Sequence, residues 1–299
     1  MSSPVRASRA RALAQDRTSV YVELTKPRIT LMVLLTVALG FALAPMTTVP
    51  LALLHVLIGA GLSCSGAGAL NQYIERDRDA VMARTRFRPL PSRRVSPTTS
   101  LLLGCILAAG GVSYLLATTN ALTAALDALT LITYLFVYTP LKRVSSLCTP
   151  AGAIPGALPP VMGWAAASGH VDAGAWVLFG ILFFWQIPHF LAIGRMYRED
   201  YAQGGFPMLV VVDEEGDIVN RQMVLYAAAL LPFSLALTEL GLAGPLYFWC
   251  ALMAGCGYLA ASLLAASRND RRSARNLLLA SVLYLPVLFS AMFIDGLLR

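Results

Sequence analysis

Charge is what this chain has least of. Only 13% of its 299 residues are Asp, Glu, Lys or Arg, against 57% hydrophobic, whereas soluble domains carry about 25% charged residues. Too little polar side chain is left to coat a water-soluble globule of this size, so that class is excluded. Acids are scarcer than bases, 16 against 23, and there are three histidines. The five cysteines (Cys64, Cys105, Cys148, Cys250, Cys256) include no CxxC pair, so they read as small apolar helix residues and not as a metal knuckle or disulfide framework. The opening stretch MSSPVRASRARALAQDRTSV lacks the apolar core of a secretory signal. Its Arg and Ser content, with the single acid Asp16, faintly resembles an organelle transit segment; a basic cytoplasmic tail over residues 1–28 is the expectation.

The alternative solvent is lipid. A hydrocarbon core about 30 Å thick takes roughly 20 apolar residues per helix. Nine such segments can be marked, near 29–46, 51–72, 99–118, 121–139, 150–168, 174–194, 223–241, 244–266 and 276–297, with Gly, Pro, Asn and Ser in the gaps. The expected fold class is therefore an all-α membrane protein with nine transmembrane helices, residues 29–299 forming one domain. Placing the N-terminus inside and alternating sides puts every Lys and Arg except Arg299 on the inner side. Random placement would not sort them so, and cytoplasmic loops of membrane proteins do carry this bias. The net charge of +7 then reads as an orientation signal, and no nucleic-acid partner is needed to explain it.

The scarce acids are gathered. Glu75, Asp77 and Asp79 lie at the inner end of the second span, within NQYIERDRDAVMARTRFRPLPSRR, and Glu199 and Asp200 at the inner end of the sixth, within RMYREDYAQGGFPM. In a helix Asn71, Glu75 and Asp79 fall at i, i+4 and i+8, one stripe of oxygen-bearing side chains about 12 Å long. Asp77 falls on the other face, solvated or Arg-paired. Such a stripe suits a hard divalent cation, and Mg²⁺ prefers one or two carboxylates with phosphate oxygens and water. Arg84 and Arg88 are four apart, and the guanidinium fork matches phosphate oxygens. Metal, carboxylates and arginines at one mouth point to a diphosphate site, with Lys142 and Arg143 neutralising outer oxygens. The plainer reading is that these charges only anchor helices at the membrane interface. Two clusters at matching positions four helices apart weigh against it, and hint at an internal four-helix duplication without sequence identity between the halves.

These residues resemble a known family. NQYIERDRDAVMARTRFRPL is similar to the first aspartate-rich motif of the UbiA-type membrane prenyltransferases, in the form found in the protoheme IX farnesyltransferase (heme O synthase) branch, where an Asn opens the motif. YTPLKR at 138–143, GAIPGALPPVMGWAAASG at 152–169 and FFWQIPHFLAIGRMYREDYAQGGFPML at 183–209 carry the same likeness. It is close from Leu24 to Val212 and rests on hydropathy alone over the last three spans. The resemblance implies a bundle around a central cavity, in which the farnesyl group of farnesyl diphosphate is joined to a vinyl group of heme B and water is added, releasing diphosphate and heme O, the latter for terminal oxidases. It implies Mg²⁺ as cofactor, with Asn71, Glu75 and Asp79 as its first set of ligands and Glu199 and Asp200 as its second. Asn71, Glu75, Asp79 and Asp200 then form the catalytic set, and Arg84, Arg88, Lys142, Arg143 and Arg198 contact diphosphate. The sequence departs from the general pattern at Glu75, where an Asp is usual, and after Asp200, where Gly204 stands at the spacing of a second acid.

His189 lies inside the sixth span, where ionisable residues mark function by default. With a continuous helix it would share a face with Asp200, eleven residues on. Heme iron commonly takes a His ligand, so His189 is a heme-contact candidate; a structural His beside Pro188 is the alternative. GGFPMLVVVDEEGD offers Gly204 and Gly205 as a hinge and Phe206 to Val212 as an apolar lid over the mouth. Asp127, inside the fourth span, is expected to snorkel outward. The expected location is a bacterial inner (plasma) membrane, with the mitochondrial inner membrane as the alternative. A heme A synthase or an oxidase assembly partner fits that setting. An aromatic quinone precursor is the competing acceptor, and a non-catalytic transporter or assembly factor the competing class.

Overall fold

The computed structural model describes residues 19–45 and 51–298. Most of the basic tail, much of the first short link and Arg299 lie outside the described residues. Among the described residues all regular structure is helical and no strand occurs. The long helices are α1 (Pro27–Leu43), α2 (Leu51–Asp79), α3 (Pro97–Thr118), α4 (Ala121–Leu141), α5 (Cys148–Ser168), α6 (Ala173–Met196), α7 (Asp217–Glu239), α8 (Pro245–Arg268) and α9 (Arg271–Leu298). Two short helices, Arg198–Gln203 and Leu209–Val212, lie between α6 and α7.

Seven of these helices, all but α1 and α5, are long and apolar enough to cross a membrane. Helix α1 has 17 residues. Helix α5 contains Pro155, Pro159 and Pro160 among Gly and Ala, and it is buried nearly all round. Its surroundings are other helices, so small residues serve it better than lipid-facing bulk. Three helix starts follow turn chemistry legible in the sequence. Ser96 Oγ accepts from Thr99 N at 3.0 Å, Asn120 Oδ1 from Thr123 N at 2.8 Å and Asp172 Oδ1 from Gly174 N at 2.9 Å.

Two helices run well past the apolar segments. Helix α2 continues seven residues to Asp79, so the charged stripe is helical. Helix α7 begins at Asp217, its first turn tied by Val219 N donating to Asp213 Oδ2 at 2.8 Å. Hydropathy marks where lipid ends; the hydrogen-bond ladder continues through Glu, Arg and Gln, which are good helix formers.

Each helix packs on its chain neighbour from α1 to α9, and α5 also packs on α1 and α2, as α9 does on α6. The succession α1–α2–α3–α4 recurs in α5–α6–α7–α8, and α2 on α5 is matched by α6 on α9, whereas the close packing of α1 on α5 has no match of like extent between α5 and α9 among the described residues. Helices α2 and α3 approach through glycines: a Cβ on Gly66 would stand 2.7 Å from the Gly104 carbonyl oxygen, and one on Gly111 2.7 Å from that of Gly59. Helices α1 and α5 do the same at Gly40 and Gly163. Between α1, α5, α6 and α9 lies an apolar void of about 10 Å³, bounded by Thr36, Pro160, Ile181 and Leu288 among others. It is smaller than a prenyl chain.

Candidate functional site

The last two turns of α2 present the predicted stripe inward. Asn71, Glu75 and Asp79 are 2%, 3% and 0% exposed. Asp77, on the opposite face, is exposed and pairs with Arg76 at 3.6 Å. A buried carboxylate is costly unless a cation or donor meets it, and each stripe residue has such a partner. Lys142 Nζ donates to Glu75 Oε1 at 3.1 Å, and Arg88 donates to Asp79 Oδ2 at 2.7 Å. Lys26 Nζ donates to Asn71 Oδ1 at 2.8 Å, while Asn71 Nδ2 donates to Thr139 Oγ1 at 3.3 Å. Three cations from three parts of the chain thus meet one helical face.

Lys26 has no place in the predicted set beyond its count in the basic tail. It sits just before Pro27 with φ 50°, the left-handed region that a side-chain-bearing residue enters only against steric resistance. Burial is the main reason its pKa falls to about 8; the Arg88 and Lys142 charges push the same way, and Glu75 and Asp79 oppose them. The motif TKPR was the available signal, since Pro27 fixes where α1 starts and so where the preceding side chain turns.

The link after α2 is a series of turns and not a helix, so Arg84 and Arg88 do not form a helical pair. Arg88 turns back to Asp79. Arg84 is exposed and lies over the rings of Tyr197 and Tyr201, 5.3 and 5.8 Å from their centroids, with a 3.4 Å hydrogen bond to the Tyr201 hydroxyl. Arg78 donates to the Gly205 carbonyl at 2.7 Å. The two charged inner links therefore do meet, and they meet through arginines and aromatic rings. Arg143 donates to the Ile74 carbonyl of α2.

The second acidic cluster lies on a separate short helix. Helix α6 ends at Met196, Tyr197 departs from helical geometry, and Arg198–Gln203 starts a separate short helix. His189 and Asp200 are thus not on one continuous helix. Arg198 and Glu199 are exposed and Asp200 is half-buried. Arg198 donates to the Val211 carbonyl at 3.4 Å. Among the described residues no three His, Cys, Asp or Glu side chains are close enough to hold a metal ion together.

The first stripe taken alone still fits a divalent cation. Asp79 Oδ1 is buried and has no hydrogen-bond partner, an orphan of the kind that a structure rarely leaves without use. With a Glu75 oxygen and Asn71 Oδ1 it supplies the hard oxygen donors Mg²⁺ takes, the rest coming from phosphate and water.

His189 accepts or donates at Nδ1 to Ser281 Oγ of α9 at 2.7 Å and stacks on Trp185, centroids 5.0 Å apart. That leaves Nε2 as its second ring nitrogen. Trp185 is fixed in turn, its Nε1 donating to the Ser281 carbonyl at 2.9 Å and its carbonyl accepting from the Tyr258 hydroxyl at 2.9 Å. Asp127 does not snorkel: it is 4% exposed and accepts from Ser63 Oγ of α2. A hydrogen-bonding partner one helix away removes the need to reach water.

The UbiA prenyltransferase family matches this chain over residues 33–289. A protein named protoheme IX farnesyltransferase from Solibacter usitatus (strain Ellin6076) is 45% identical over 285 residues, covering 92% of this chain and 98% of its own. Among solved structures, digeranylgeranylglyceryl phosphate synthase superposes with a TM-score of 0.80 at 13% identity, covering 95% of this chain and 99% of the other. A UbiA homolog from Archaeoglobus fulgidus bound to GPP and Mg²⁺ superposes with a TM-score of 0.67 at 16% identity, covering 91% of this chain and 99% of the other.

Proposed function

The chain belongs to the UbiA prenyltransferase family, and from that premise we propose that it transfers the farnesyl group of farnesyl diphosphate to a vinyl group of heme B. As the farnesyl group joins the outer vinyl carbon, the hydroxyl of one water bonds to the inner vinyl carbon with release of its proton, and heme O and diphosphate are the products. The observation that carries the acceptor is the near-full-length identity with a relative that bears the name of this activity. The motif that opens with Asn71 and the WQIPHF stretch around His189 support the same acceptor.

In this reading Asn71, Glu75 and Asp79 hold Mg²⁺, which, when bound, screens the charge that builds on diphosphate as it leaves. Lys142 and Arg88, held by Glu75 and Asp79, and Lys26, held by Asn71, are the cations placed beside that stripe to meet diphosphate oxygens. Diphosphate departure is favoured because these donors are fixed beforehand, at little cost in reorganisation. Arg84, Arg143 and Arg198 line the outer approach, and Asp200 carries the second acidic position. The apolar bundle excludes water from the allylic cation, and Tyr201 and Phe206 turn ring faces toward the site. His189, with Nδ1 engaged by Ser281, offers Nε2 to heme. Nine spans with the N-terminus inside, in a bacterial plasma membrane, place the mouth at the cytoplasmic surface where farnesyl diphosphate dissolves. The released heme O would pass to an oxidase or to a heme-modifying partner in the same bilayer.

Purified protein in detergent, given Mg²⁺ and farnesyl diphosphate with either heme B or 4-hydroxybenzoate, tests the acceptor. A farnesylated heme resolved by chromatography is the expected product; adduct formed only with the aromatic acid would overturn the heme reading.

A further inference from the structure

Phe206 occupies an unusual position for an apolar residue. It follows the Gly204–Gly205 hinge, with Gly205 at φ 65°, and is 1% exposed. Two cations flank its ring: Lys142 Nζ lies 4.4 Å from the centroid and the Arg78 guanidinium 4.8 Å. Tyr201 meets it edge-on at 6.2 Å, and Lys142 also lies 5.7 Å from the Tyr201 centroid. Arg78 fastens the hinge through its bond to the Gly205 carbonyl. Lys142 is 8% exposed, and its Nζ also donates to Glu75 Oε1. An ammonium group so enclosed has a narrow choice of positions, and here a ring face and a carboxylate define them.

We infer that Phe206 is a positioning residue, its ring holding Lys142 in register for the departing diphosphate and sealing the mouth against water. The inference rests on the diphosphate chemistry proposed above and goes beyond it, because it assigns the register of Lys142 and the exclusion of water to one side chain on the link after α6. The segment expected as a lid is, in this structure, already inserted. Loss of the ring has two consequences. Lys142 gains freedom, so farnesyl diphosphate binds less tightly. Water reaches C1 of the farnesyl group: its oxygen bonds to C1, the C1–O bond to diphosphate breaks, and one proton is released, giving farnesol and diphosphate.

The test measures farnesyl diphosphate affinity and farnesol formation in the full chain in nanodiscs with Mg²⁺, neither of which needs heme. F206L is compared with F206Y, which keeps the ring, and each is repeated on a K142Q background. We expect F206L to weaken affinity about tenfold, as the loss of a desolvated cation–π contact does, and to raise the farnesol yield, while F206Y stays near wild type. On the K142Q background F206L should change affinity little further. Equal loss in F206L and F206Y, no change in F206L, or a full F206L effect without Lys142 would each overturn the inference. Wild-type protein that binds farnesyl diphosphate but never farnesylates heme would overturn the acceptor alone, and the F206L comparison would still decide this point. Wild-type protein that binds no farnesyl diphosphate would overturn both.

Discussion

Asp79 and Lys26 show how differently single residues can serve one site. Asp79 is fully buried, carries an ion pair to Arg88 on one oxygen and leaves the other without a partner. D79N keeps the volume and removes the charge. Prenyl transfer is expected to fall at least a hundredfold, as when one fixed electrostatic group is lost from a site of developing charge. Membrane insertion and the folded fraction should be retained, since one hydrogen bond to Arg88 survives; turnover under saturating Mg²⁺ beside size-exclusion profiles checks both. Lys26 bears on stability instead. Its pKa in the folded chain is lowered to about 8 from 10.5, chiefly by burial, with the Arg88 charge next. Below about pH 8 it is protonated whether folded or unfolded, and its charge costs stability. Between about 8 and 10.5 the unfolded chain binds more protons than the folded one, so stability rises with pH across that window and levels off above it. K26M should remove this part of the slope, so the melting-temperature difference between K26M and wild type in detergent should shrink as pH rises from 8 to 10.

At the scale of the element, α2 and α3 are set by what they lack. Gly66 and Gly111 face the partner backbone, and a Cβ at Gly66 would stand 2.9 Å from Ala108 Cα and 2.7 Å from the Gly104 oxygen. Backbone cannot swing aside as a side-chain tip can, so G66A should destabilise by about 1–3 kcal/mol, the usual cost of overpacking. G110A, on the same α3 but with nothing within 4 Å of its added Cβ, should leave stability within about 0.5 kcal/mol. Thermal unfolding in one detergent compares them directly. These contacts were only partly legible. Apolar runs with Gly, Pro, Asn and Ser in the gaps located the helices, and i, i+4 spacing put Asn71, Glu75 and Asp79 on one face. Periodicity carries no information about which face meets which helix, so the Gly66–Gly104 approach and the Ser63–Asp127 bond were invisible. The break at Tyr197 was missed for a related reason: RMYREDYAQ is a fair helix former throughout, and nothing local says that the chain must turn. That break puts Glu199 and Asp200 in the first turn of a separate short helix, with Glu199 exposed.

At the scale of the whole molecule, the neighbour succession of α1 to α4 recurs in α5 to α8, and the charged links after α2 and after α6 lie at the same end of the bundle. Arg84 against Tyr201 and Arg78 against Gly205 join those links, so the site is a product of the repeat and of neither half alone. The orientation proposed above rests on where the cations fall along the chain. The links that carry Arg76 to Arg94, Lys142 and Arg143, Arg195 to Arg221, and Arg268 to Arg275 alternate with links short of cations. A potential that holds cations at the cytoplasmic surface therefore favours one insertion over its inverse. Single cysteines on a chain freed of its five native ones, placed at Arg86 and in the Gly169–Val171 link, are expected to react oppositely with a membrane-impermeant maleimide. In intact cells only the Gly169–Val171 position should label, and in inverted vesicles only the Arg86 position. Labelling of Arg86 from outside would reverse the bundle and set the charged mouth away from the cytoplasm, where a water-borne prenyl diphosphate could not reach it.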